Sequence, residues 1–144
     1  MKALACVVAV LGGLAAAAPA AAQPANQLNG IYTFSSPMTR LTNGSLGQIS
    51  GVMTVTPMGE GYHVSLSTME RLDDGASQSR GWSAQSCDGR KEGVEVVLTC
   101  EVLNSTPGYQ ADSFRLRHAD GIRHEGELIS ADTYRIEMFF HSRR

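Results

Sequence analysis

Past its first 22 residues this chain lacks any apolar run near the roughly 18 residues that a membrane-crossing helix needs. It lacks a surplus of either charge as well, with 12 Lys and Arg against 14 Asp and Glu. No broad positive field exists for phosphate backbones, which argues against nucleic acid as a partner. No H-E-x-x-H, Gly-rich phosphate loop, G-x-S-x-G elbow or paired-cysteine zinc spacing occurs, so the common enzyme signatures are missing and no cofactor is implied. No stretch sustains a helical period and strands do not alternate with helices, which excludes doubly wound nucleotide-binding folds. There is no internal repeat.

What is present begins with a leader. Met1 and Lys2 form a short cationic start, Ala3 to Leu14 an apolar stretch, and Ala15 to Ala22 a run of small residues offering Ala20 and Ala22 as an A-x-A cleavage site before Gln23. The apolar core is short and interrupted by Gly12 and Gly13, which favours a cleaved signal peptide over a retained anchor. The expected organisation is a signal peptide over 1–22, a loose tether over 23–27 and one domain over 28–144. Such a chain works in a bacterial periplasm or outside the cell, with no membrane span after leader removal. Removing the leader takes Cys6 with it and leaves Cys87 and Cys100 in an oxidising compartment. Neither stands in C-x-x-C spacing or beside a histidine, so a structural disulfide is expected rather than a redox or metal pair.

The remaining chain alternates apolar and polar residues in eight short segments: 30–35, 48–56, 62–69, 81–86, 94–103, 111–118, 122–129 and 133–141. Links rich in Gly, Asp, Asn, Pro and Ser separate them. In the C-terminal third, Ala119-Asp120-Gly121 suits a three-residue hairpin loop. That register sets His118 opposite Ile122, Leu116 opposite His124 and Arg115 opposite Glu125. Phe114, Leu116, His118, Ile122, His124 and Leu128 then share a face with Tyr134, Ile136, Met138 and Phe140. Ile49, Met53 and Val55, then Tyr62, Val64 and Leu66, then Val94, Val96, Leu98, Cys100 and Val102 repeat the pattern. Eight antiparallel strands, each with one apolar face, predict an all-β meander closing into a small barrel. The cysteines fit this picture awkwardly. Setting Cys87 across from Cys100 centres a turn at Gly93-Val94, whereas turn chemistry centres near Gly89 to Lys91, so a bulge near Cys87 or a loop-to-strand bridge is expected.

Leu28-Asn29-Gly30-Ile31-Tyr32 resembles the Gly-x-Trp opening of calycin barrels, the lipocalin and avidin group, with Tyr32 where Trp would stand. The resemblance implies an up-and-down barrel whose mouth holds one small apolar ligand.

Five side chains are candidates for such a site: His118, His124, Trp82, Tyr134 and Met138. Both histidines are expected to point inward, where an imidazole binds a metal or acts as acid or base, or forms a wetted ring at the rim. Trp82 is expected in the core rather than on a ligand wall. Tyr109 either decorates a binding loop or packs back over the mouth. Asp73 and Asp74 read as a solvated D-D-G turn rather than a calcium site. Two functions follow. One is noncatalytic binding of a small apolar or amphipathic ligand. The other is a protein-interaction or inhibitor module of the bacterial envelope, using the long loops 36–46, 71–80 and 104–110.

Overall fold

A computed structural model describes residues 28–120 and 122–142. The expected leader, tether and Gly121 lie outside these residues. The described chain holds no helix. Its strands are β1 (Gly30–Ser35), β2 (Thr39–Arg40), β3 (Leu46–Met58), β4 (Gly61–Asp73), β5 (Gln78–Glu92), β6 (Glu95–Ser105), β7 (Ser113–Asp120), β8 (Arg123–Ile129) and β9 (Thr133–Ser142). Neighbours in sequence pair antiparallel from β2 through β9, and β1 pairs with both β9 and β3. Eight strands therefore close into a barrel. The two-residue β2 is an addition inside the loop that follows β1.

Alternation explains the closure. On β3 Ile49, Met53 and Val55 are buried, on β4 Tyr62, Val64 and Leu66, and on β7 to β9 Phe114, Leu116, Leu128, Tyr134, Ile136 and Met138. Each set occupies every second position, so one face of every strand can leave water only if the sheet curls around it. The aromatic rings of Phe34 and Phe114 meet edge to face at 5.7 Å between centroids, as do those of Tyr32 and Phe140 at 5.5 Å. The interior is filled by these side chains. Gly51 makes room for one of them: a Cβ there would run into the Ser67 carbonyl oxygen and lie 2.5 Å from Phe34 Cζ.

Four expectations need correction. Cys87 and Cys100 are bonded and stand directly opposite each other in the β5–β6 ladder, and the turn falls at Gly93, where φ is +61°. The bulge lies between Ala84 and Gln85, not near Cys87. Gly89 is an in-strand residue because space demands it: an added Cβ would sit 2.7 Å from Leu98 and 3.0 Å from Tyr62. Val94, expected inside, occupies that turn and is exposed. The β7–β8 hairpin is longer than expected, pairing His118 with His124, Leu116 with Gly126 and Arg115 with Glu127. Slipping by two residues preserves which face each side chain takes, but it releases Ile122 to solvent. Trp82 is not core: it points outward from β5, with 44% of its surface exposed.

If the interior has no slack, Gly51→Ala lowers unfolding free energy by about 1–3 kcal/mol, measured from the denaturant midpoint. A change below about 0.5 kcal/mol would show that the packing around Phe34 yields freely.

Candidate functional site

The meander directs the links after β1, β4, β6 and β8 to one end of the barrel and the short turns to the other. All three long loops expected to carry binding thus emerge together. Alternation would place apolar side chains inside this end, yet Thr68, Ser83, Gln85 and Asp112 are all buried here. They satisfy one another. Gln85 reads Asp112 twice: its carbonyl oxygen accepts the Asp112 backbone N–H at 2.8 Å, and its amide donates to the carboxylate. The same amide donates to Ser83 Oγ at 2.7 Å, Ser83 contacts the Thr68 hydroxyl, and Thr68 meets the Tyr109 hydroxyl at 2.9 Å. Tyr109 lies 3.2 Å from the Asp112 carboxylate.

Proton counting gives this ring a direction. With Asp112 ionised, Tyr109 spends its single proton on the carboxylate, so it accepts from Thr68, which accepts from Ser83, which accepts from Gln85. Every donor points towards the negative charge, an arrangement in which the bonds polarise one another. Burial nonetheless pushes the Asp112 carboxyl up to about 6, opposing the hydrogen bonds from Gln85 and Tyr109, and Glu70 adds like-charge repulsion. Burial also raises Tyr109 and Tyr134; the carboxylate of Asp112 works with it at Tyr109, and donation to Glu70 at 2.7 Å works with it at Tyr134. Both phenols remain protonated donors at neutral pH.

This network plugs the mouth. Tyr109 packs back over Gly81 and Thr106 N–H donates to the Trp82 carbonyl at 3.0 Å. Across the opening, Asp132 accepts the Thr42 backbone N–H at 3.0 Å and joins the loop after β1 to the β8–β9 turn. At the opposite end, His118 and His124 pair with ring centroids 4.9 Å apart, and Tyr32 meets His124 at 5.6 Å. The space the two histidines share with Leu28, Lys91 and Leu116 is about 30 Å³, room for water but not for a drug-sized ligand. His118 is exposed and His124 half-buried, so they form a rim. Tyr134 and Met138 are fully buried along β9, while Trp82 stands outside. The five candidates do not converge on one chamber. Asp73 and Asp74 form a turn in which their carboxylates accept backbone N–H groups of Gly75, Ala76 and Ser77. The bonds from Ser77 and Ala76 hold Asp74 below the usual carboxylate range. Among the described residues no three His, Cys, Asp or Glu side chains gather as a metal site.

Sequence reading missed Glu70, Gln85 and Asp112. A signal existed: Thr68 and Glu70 continue the inward positions of Tyr62, Val64 and Leu66, and Ser83 and Gln85 continue to Cys87, so polar residues stand where the alternation calls for apolar ones. Compared with known proteins, the chain matches no family model, no curated protein and no solved structure.

A carboxyl that ionises near 6 when folded, against 3.8 for a free side chain, holds more protons folded than unfolded between those values. Stability therefore falls as pH rises from about 4 to about 6, by about 2–3 kcal/mol, and stays lower above. Asp112→Asn removes this decline while keeping an acceptor for Tyr109. Denaturant titrations of both proteins across that range check it, and identical slopes contradict it.

Proposed function

We propose that this chain is an exported, noncatalytic interaction module that recognises a macromolecular partner with its outer surface. The filled interior carries this reading. Pockets for drug-sized ligands measure about 300 Å³ or more, whereas the histidine end opens onto about 30 Å³ and the loop end is closed by hydrogen bonds around Asp112. Rigid closed barrels serve well as scaffolds, because a partner meets a preformed surface and little ordering entropy is lost. The disulfide adds about 3 kcal/mol on the loop-entropy model, which suits a small core.

Export belongs to the same reading and is supported by the leader-like pattern over 1–22 and the Cys87–Cys100 bond. Kinship with calycin barrels is likewise part of it, supported by the Gly30-Ile31-Tyr32 opening and the meander order; Tyr32 lies in the core where that plan needs an aromatic anchor.

Tagged full-length chain purified from the envelope of its own host, then weighed by native mass spectrometry, tests the reading. The expected result is a stoichiometric macromolecular complex that reforms from purified components, with the barrel at its bare mass. A small-molecule adduct displaced only on unfolding would contradict it and restore the internal-ligand function.

A further inference from the structure

We infer that the outer wall of β3, β4 and β5 nearest the loop end is the docking surface, and that its occupant is an acidic protein segment with apolar side chains beside its carboxylates. This rests on the interaction-module reading and adds the partner's chemistry.

The register sets Arg71 directly across from Arg80, and Met69 across from Trp82 in the adjoining row, with Gln48 and Ser50 completing the two rows on β3. Like charges opposite each other on a sheet are destabilising. Elsewhere facing like charges are offset by arginines: Glu92 stands across from Glu95 and Glu125 across from Glu137, yet Arg90, Arg115 and Arg117 bond to Glu92, Glu95 and Glu125. On the wall of β6 to β9 a trough of about 830 Å³ is lined by both signs, with Arg117 bonded to Glu125 at 2.8 Å, Arg115 to Glu95 at 3.4 Å, and Arg135 set opposite Glu127. That wall neutralises itself. Arg71 and Arg80 are exposed, and among the described residues neither guanidinium makes a hydrogen bond or an ion pair. Acids close in sequence are engaged: Glu70 points inward to Tyr134, and Asp73 accepts from Gly75 and Gln78. Two planar forks side by side therefore present unneutralised N–H donors to carboxylates.

Beside them Trp82 is 44% and Met69 55% exposed. Trp, Met and Arg are the residue types enriched at the centres of protein interfaces. The backbone beneath Trp82 is already held: its main-chain N–H donates to Thr106 Oγ1 at 3.2 Å and its carbonyl accepts from Thr106 N–H at 3.0 Å, so binding orders little backbone. Two arginines fall short of the clusters of about 4–8 Lys and Arg that hold proteins on anionic bilayers, and the chain is net negative. An acidic polypeptide fits the charge better than a membrane.

Trp82 is the sole tryptophan, so its fluorescence reports occupancy without a label. The disulfide-bonded protein is titrated with a 12-residue peptide of Asp, Glu and Phe, with its Asn and Gln counterpart, and with phosphatidylglycerol vesicles. The acidic peptide is expected to change Trp82 emission saturably, and the double variant Arg71→Gln, Arg80→Gln, with unaltered thermal melting, to bind it about tenfold more weakly or worse. Equal binding of the neutral peptide, undiminished binding by the double variant, no response, or a response to vesicles alone overturns the assignment. A macromolecular partner that still reforms its complex with the double variant overturns this wall while leaving the interaction-module reading in place.

Discussion

Closure of the sheet through β1 is the constraint on which the rest depends. This short strand hydrogen-bonds to β9 on one side and β3 on the other, and it carries Tyr32 and Phe34 into the interior. Without it the sheet would have two open edges and an unburied apolar face. With it, every strand buries alternate side chains and the outward positions are free to differ around the circumference. That freedom is used. Both signs of charge cover β6 to β9, whereas near the loop end the outer positions of β3 to β5 carry Gln48, Ser50, Met69 and Trp82 with the facing Arg71 and Arg80.

A filled interior and a functional exterior are two sides of one packing solution. Large side chains need space, and two glycines supply it by omitting theirs: Gly51 yields to Phe34 of β1, and Gly89 to Tyr62 of β4 and Leu98 of β6. The polar ring around Asp112 completes the seal at the loop end, where apolar packing alone would leave backbone groups of the irregular 106–112 link without partners. Its buried carboxyl is costly once ionised, and the donors converging on it limit that cost. Closing the mouth by hydrogen bonds rather than by bulk ties the 104–112 link to β4 and β5, which also fixes the backbone beneath Trp82.

Much of this was legible from residue order. Alternation at Ile49-Met53-Val55 and Phe114-Leu116 survives any register error of two, so the barrel and its inner face could be read while the β7–β8 pairing could not. The misread turn at Gly89 has a different cause. Glycine marks both turns and close approaches, and only the three-dimensional proximity of Tyr62 and Leu98 separates the two uses. A large aromatic in an alternating strand is ordinarily buried, which points Trp82 to the core, yet the parity from Cys87 backwards already sets it outside. The inward polar positions Thr68, Ser83 and Gln85 stand out in the alternation, but that they meet Asp112 on the link before β7 depends on contacts too distant in sequence for a local pattern to reveal.

The central claim is that no ligand-sized space exists inside this barrel. Xenon enters dry apolar cavities and leaves packed cores alone, so methyl NMR of the protein under xenon pressure tests it most directly. The expected result is no saturable shift at the methyl groups of Met53, Val64, Leu98, Leu116 and Met138. Saturable shifts shared by several of these residues would reveal a cavity and contradict a function confined to the outer wall.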